Sequence, residues 1–299
     1  MSTPRTWFRL IRCFGIRWTF HPLFVFVMLA SAATGYIREL AVLFTIVIVH
    51  ELGHVMAMRA FGWRVREIRL LPFGGAAETE EAGSVPAAEE AVVAAAGPLQ
   101  NVWMGTAALL CARIEGIDPG WAMYIAHANA IIALFNLLPI QPLDGGRLLS
   151  AWMTATMPYQ SALKWSVRIG LALSLAMVAA ACIPLFGGVQ LNLLLVGLFL
   201  LASNWRMLRD LPYLFMRFLV RREADSARAR TKGTLVLPIV VQPACRVGDI
   251  LRLFRKGRYH LVYVLGEGGR IEGVVPEERV IGTYFRSGGQ NRAVSELFG

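Results

Sequence analysis

The sequence predicts a polytopic α-helical membrane protein of about six transmembrane helices that ends in a small cytosolic α/β module. Three observations predict it. Of 299 residues, 56% are hydrophobic and 17% charged, against about 25% charged in soluble domains. The apolar residues gather in runs near the roughly 20 residues that a bilayer requires. From about Gly233 those runs stop, and short β-branched segments alternate with turn residues.

The expected spans run from about Trp18 to Ala33, Glu39 to Met58, Ala91 to Ala112, Trp121 to Leu138, Trp165 to Ile183 and Val189 to Ser203. A tight turn, Pro184-Leu185-Phe186-Gly187-Gly188, joins the last two. The basic N-terminus has no small-residue cleavage site after its first apolar stretch, so it is read as a retained anchor. Between the second and third spans, Val65, Ile68, Leu70, Leu71 and Phe73 look like strand material, broken at Pro72 and Gly74-Gly75. Ala76 to Glu81 then returns as the second arm of a hairpin, whose exposed edge can pair with an extended substrate segment. Leu211 to Thr231 reads as a basic amphipathic linker. Beyond it come a strand over Leu235 to Val241 and a helix over Val247 to Lys256 with Ile250, Leu251 and Phe254 on one face. Two further strands, Leu261 to Leu265 and Ile271 to Val275, flank a Gly-rich turn. The expected organisation is a transmembrane domain over 1–205, a linker over 206–232 and a regulatory module over 233–299.

The net charge of +10 does not point to nucleic acid, because the basic residues sit beside apolar spans as juxtamembrane anchors do. Arg5, Arg9, Arg12 and Arg17 precede span one; Arg59, Arg64, Arg66 and Arg69 follow span two; Arg147 and Lys164 lie between spans four and five; Arg206, Arg209, Arg217, Arg221 and Arg222 follow span six. The opposite loops hold little positive charge, so both termini are expected in the cytoplasm. Cys13, Cys111, Cys182 and Cys245 show neither a disulfide framework nor a C-x-x-C metal pattern.

The chemistry concentrates in His50-Glu51-Leu52-Gly53-His54, inside the apolar run of span two. Residues four apart share a helix face, so His50 and His54 can offer nitrogens to a single ion. This is the H-E-x-x-H pattern of zinc peptidases, and ionisable groups within a span are costly enough to mark function. Catalytic zinc takes three protein ligands. The best third candidate is Asp144, in Asn136-Leu137-Leu138-Pro139-Ile140-Gln141-Pro142-Leu143-Asp144, where Pro139 and Pro142 break the helix. Both segments leave the membrane on the same side, and five residues separate His54 from Arg59, which puts the ion roughly 7–14 Å below the surface. Zinc acidifies water and polarises a carbonyl. Glu51 is placed to take the proton from an attacking water and pass it to the leaving amine. Asn136 is a candidate donor to the substrate, and so is Gln100 or Asn101 in Ala96-Gly97-Pro98-Leu99-Gln100-Asn101. His21, His127 and His260 take no catalytic role. From another class, a transporter using the histidines as a metal relay would be expected to show repeated halves; no second histidine-bearing span of this kind occurs.

HELGH in a span, followed by NLLPIQPLDGG, resembles the site-2 protease family of intramembrane metalloproteases across about residues 18 to 205. Phe20-His21-Pro22, Leu71-Pro72-Phe73-Gly74-Gly75 and the absence of an inserted PDZ domain resemble its sporulation branch. That resemblance implies one Zn2+ per subunit on His50, His54 and Asp144, Glu51 as the catalytic glutamate, and Asn136 and Pro142 at positions linked to substrate. It implies a membrane-associated pro-sigma factor of the pro-sigma-K kind as substrate, and membrane inhibitor proteins as partners. The C-terminal module resembles a single CBS motif, which implies ATP as a ligand and pairing between subunits into a homo-oligomer.

Overall fold

The computed structural model describes residues 8–13, 16–20, 35–71, 74–79, 85–183, 190–232, 235–286 and 288–298. The chain forms two compact units, one of residues 1–82, 89–139 and 143–148, the other of 83–88, 140–142 and 149–299.

The first unit holds a four-stranded sheet and three helices. Strands β1 (Phe8–Cys13), β2 (Ile16–Phe20), β3 (Val65–Leu71) and β4 (Gly74–Thr79) lie in that order. β1/β2 and β3/β4 are antiparallel pairs, and β2 runs parallel to β3 with Trp18 beside Ile68. The β3/β4 hairpin is the one expected. The start of span one at Trp18 is corrected: Trp18 to Phe20 belong to a strand, because Ile16-Arg17-Trp18-Thr19-Phe20 carries β-favouring residues beside a ready partner edge. Buried Thr19 Oγ1 donates to Glu67 Oε1 at 2.8 Å across that pairing. The rest of span one, His21, Pro22 and the Pro184–Gly188 turn lie outside the described residues.

Helix α1 (Ile37–Ala60) is apolar and free of proline. It stops at Gly62, whose φ of 75° is left-handed and suits glycine. Trp63 then donates its indole N–H to Glu89 Oε2 at 2.9 Å, tying the exit of α1 to the start of α2 (Ala87–Cys111). Helix α3 (Pro119–Asn136) starts on Asp118, which accepts from the Gly120 N–H at 2.8 Å, with proline at the first helical position. Non-helical chain follows until α4 (Asp144–Thr156). Gly145 packs on the Leu137 and Leu138 carbonyls; a Cβ there would strike backbone, so glycine lets the chain double back at this point.

The second unit is built on α5 (Tyr159–Cys182) and α6 (Leu191–Lys232), packed antiparallel. Gly197 faces Val178 and Gly170 faces Asn204, the small residues letting two helix backbones approach. Among the described residues three helical stretches are long and apolar enough to cross a membrane: Ile37–Ala60, Tyr159–Cys182 and Leu191–Arg222. The third and fourth expected spans are helices as well, α2 and α3, but polar residues such as Gln100, Asn101, His127 and Asn129 dilute their apolar character.

The range expected as a linker is helical to Lys232, and its Phe215, Phe218 and Leu219 enter the core of the C-terminal sheet. That sheet has the order β5 (Val236–Val241), β6 (Tyr259–Leu265), β7 (Ile271–Pro276), with β5 parallel and β7 antiparallel to β6. Helix α7 (Val247–Arg252) lies between β5 and β6, and α8 (Glu277–Tyr284), not anticipated, follows β7. Val262, Val264, Ile250, Leu251, Phe254, Val280 and Ile281 form the core, each large side chain contributing about 1.5–3 kcal/mol on burial. Buried with them is an ionic cluster. Arg222 donates to Glu277 Oε2 at 2.8 Å and to the carbonyls of Arg255 and Arg258, and its guanidinium lies over the Phe218 and Phe254 rings. His260 stacks on Phe254 and accepts from the Arg255 N–H at Nε2, while Arg222 Nη2 and Glu277 Oε2 lie 2.9 and 3.2 Å from its Nδ1. Burial holds the His260 imidazole below its ordinary range; the bond to Glu277 opposes this and the Arg222 charge adds to it.

Candidate metal centre

The centre is assembled within the first unit from α1, α2 and the first residue of α4. α1 supplies His50, Glu51 and His54, and the first residue of α4 supplies Asp144, while α2 packs against both histidines. Asp144 Oδ2 lies 3.1 Å from His50 Nε2 and 3.2 Å from His54 Nε2, and the two Nε2 atoms are 3.2 Å apart. All four side chains are buried. The structure thus brings together the four residues that the sequence singles out. Glu51 offers a carboxylate oxygen within 4.8 Å of a ring nitrogen on each of the two histidines.

The hydrogen bonds behind the histidines determine which face of each ring carries a proton. The Ile125 carbonyl can only accept, so Asn129 presents its NH2 to it at 2.9 Å. Asn129 Oδ1 is then left to accept from Asn101 Nδ2 at 3.1 Å. Asn101 Oδ1 in turn accepts from His50 Nδ1 at 2.5 Å. His54 Nδ1 donates to the Val93 carbonyl at 2.7 Å. Both neutral imidazoles therefore carry their proton on Nδ1 and a lone pair on Nε2. Two lone pairs and a carboxylate oxygen face one another across a triangle of 3.1 to 3.2 Å sides, with no hydrogen-bond donor of their own between them.

With both imidazoles neutral, three lone-pair atoms face one another, an arrangement that a cation among them would relieve. Its dimensions also fit one. Tetrahedral ligands on bonds of about 2.0–2.1 Å stand about 3.3 Å from each other. Gly97 of α2 faces the same space: a Cβ there would run into His54 Nε2 and lie 2.7 Å from His50 Nε2. Gly53 lets α2 approach on the other side, where a Cβ would come 2.5 Å from Gln100 Cγ and 2.7 Å from the Ala96 carbonyl.

The remaining expected site residues fall differently. Asn101 stands behind His50, 1% exposed, and not in a position to meet a substrate. Gln100 lies against α1 at Gly53 and accepts from the Trp103 indole at 2.5 Å. Asn136 closes α3, its NH2 donating to the Ile132 carbonyl at 3.0 Å. Pro142 is exposed in the non-helical chain after α3. His127 is exposed on α3, and His260 belongs to the C-terminal cluster. Asn129 was not anticipated; a lone asparagine in the apolar stretch Ala128 to Ile132 is its only signal in the sequence.

Comparison with known proteins places this geometry. Peptidase family M50 is matched over residues 39–117 and 115–177, which include all four residues of the centre. Stage IV sporulation protein FB of Bacillus subtilis is 32% identical over 278 residues, 93% of this chain and 94% of that protein. A zinc metalloprotease of Methanocaldococcus jannaschii is 26% identical, covering 89% of this chain and 77% of its own length. Among solved structures, the site-2 protease from Methanocaldococcus jannaschii superposes with a TM-score of 0.55 at 28% identity, covering 68% of this chain and 95% of that one.

Proposed function

We propose residue roles, a substrate and a topology for this chain, which belongs to the site-2 protease family and is a zinc metalloprotease of the membrane. Zn2+ is held by His50, His54 and Asp144. The observation that carries this is the triangle of acceptor atoms, whose imidazoles have their protons committed to the far side. When bound, zinc supplies Lewis acidity to the scissile carbonyl and to the attacking water. Glu51, adjacent but outside the triangle, accepts the proton from that water on its carboxylate and delivers it to the leaving amine. Gly97 leaves the face of the two imidazoles uncovered by any side chain of its own. Asn136, Pro142 and Gln100 contact the substrate, supported by their positions on the chain that leads to Asp144 and on the face of α2 beside Gly53. The edge strand β4 offers a line of backbone groups to an extended segment.

The substrate is a membrane-associated pro-sigma factor of the pro-sigma-K kind, a reading supported by similarity to a sporulation protein over nearly the full length of both chains. The topology has six spans with both termini in the cytoplasm, supported by the arginine clusters at alternate loops. Residues 1–205 form the protease domain, 206–232 the connection and 233–299 a CBS-like regulatory module, through which subunits pair. ATP at this module and membrane inhibitor proteins rest on the resemblance alone.

Co-expression with a candidate pro-sigma factor tests the assignment. The parent chain yields the shortened factor, and Glu51→Gln reduces cleavage by about 10²–10⁴-fold while the protein still inserts and retains zinc. Cleavage at the parent rate by that variant would remove Glu51 from the mechanism.

A further inference from the structure

The second unit contains a cavity of about 430 Å³ where the α5–α6 hairpin meets the C-terminal sheet module. Its lining is mixed in chemistry. Leu163 of α5 and Leu211 and Phe215 of α6 are apolar, Lys164, Arg246 and Arg252 are basic, and Tyr284, Gln290 and Asn291 are polar. The single acid on the lining, Asp249, is already spent on Arg252 at 2.9 Å. Among the described residues neither Lys164 nor Arg246 forms an ion pair, and both line this cavity.

The position along the helices narrows what can bind. Lys164 lies 18 residues before Cys182, about 27 Å along α5 at 1.5 Å per residue. The hydrocarbon core of a bilayer is about 30 Å thick. With Cys182 near one face of the membrane, Lys164 and the cavity it lines stand near the opposite boundary. Lysine or arginine at that level gains from anionic headgroups.

We propose that this cavity binds the phosphate of an anionic phospholipid headgroup. Lys164 and Arg246 hold the phosphate, Gln290 and Asn291 donate to its ester oxygens, and Leu163, Leu211 and Phe215 cover the glycerol and the first acyl carbons. Lys164 belongs to a membrane-spanning helix and Arg246 to the module, so the bound anion bridges the two. Docking of the C-terminal module on the α5–α6 hairpin thereby becomes sensitive to membrane charge. The inference requires the membrane location and is independent of the proteolytic reaction.

The test uses the full-length protein in vesicles of phosphatidylcholine with or without phosphatidylglycerol, extracted and weighed by native mass spectrometry. The parent chain retains phosphatidylglycerol in preference to phosphatidylcholine. The double variant Lys164→Gln/Arg246→Gln loses that preference by about 30-fold, from about 1 kcal/mol for each basic residue. Lys164→Arg/Arg246→Lys keeps it, which separates charge from misfolding. Arg206→Gln/Arg209→Gln, on α6 but away from the cavity, also keeps it. Equal retention by the Gln double variant overturns the proposal. So does equal loss in the Arg206/Arg209 control, which would indicate surface attraction only. Displacement by glycerol 3-phosphate at concentrations that leave other lipid undisturbed also overturns it, because the site would then belong to a soluble phosphate ester.

Discussion

Two buried clusters in this protein are made of the same parts and serve opposite ends. One joins His50, His54 and Asp144; the other joins His260, Glu277 and Arg222. Each puts imidazole nitrogen about 3.1–3.2 Å from a carboxylate oxygen away from solvent. In the C-terminal cluster the balancing cation is a side chain, the Arg222 guanidinium, which also donates to the Arg255 carbonyl. In the helical cluster the nitrogens beside Asp144 Oδ2 belong to the two histidines, and both rings have turned their Nδ1 protons away from it. A cluster that carries its own cation is a structural joint. A cluster of acceptors that lacks one is built to receive it.

Replacing single members sharpens that contrast. In the helical cluster Asp144→Ala takes away the formal negative charge, and bound zinc falls from about one ion per chain to near none, with proteolysis lost alongside. Elemental analysis of the purified protein reads the first, and a variant that keeps its full complement of zinc would exclude Asp144 from the ligand set. In the C-terminal cluster Arg222→Ala leaves Glu277 charged and 2% exposed, a loss of about 3–5 kcal/mol in local stability. Hydrogen exchange of the β6 and α8 amides in the full-length protein measures it. The double replacement Arg222→Met/Glu277→Leu restores protection to near the parent level, since apolar groups of similar volume often substitute for a buried pair without loss. No such apolar rescue exists for the metal centre.

The contrast is only half legible in the sequence. The helical cluster announces itself, because ionisable residues at i, i+1 and i+4 in an apolar span are too costly to bury unless they bind an ion or react. The proline-broken stretch before Asp144 points to a partner at the same depth. Asn101 reads as a candidate substrate contact and stands instead behind His50, since a polar residue on an apolar helix does not disclose which side of a histidine it will stand on. The C-terminal cluster is invisible: Arg222 looks like one more basic residue after a span, and only the continuation of α6 into the module core turns it inward. Strands β1 and β2 escape notice for a related reason. Their arginines satisfy the expectation for a juxtamembrane anchor, and the pairing with β3 comes from chain far away in sequence.

A smaller effect separates the supports of the metal centre from its ligands. Asn129→Leu removes the acceptor for Asn101 Nδ2, so Asn101 is free to present its NH2 to His50 and favour the wrong tautomer. Zinc affinity, measured by chelator competition, should weaken by about 10–100-fold, the range seen for such supporting residues. Glu51 is untouched by the change, so activity at saturating zinc recovers. Failure to recover would mean that Asn129 acts on more than the ion.

The smallest expected effect is on the pH dependence of the C-terminal cluster. Burial and the Arg222 charge hold the folded imidazole of His260 below its unfolded value near 6.5. The unfolded chain therefore binds the proton more readily, and acid favours unfolding. The contribution is fully present above about pH 6.5 and is lost as pH falls toward the lower folded value. Protection of β6 amides, corrected for intrinsic exchange, should decline over that interval in the parent chain and stay level in His260→Gln. The opposite sign is informative too. If acid strengthened protection, the bond to Glu277 would outweigh burial, and the cluster would resemble the metal centre in wanting more positive charge than its own arginine provides.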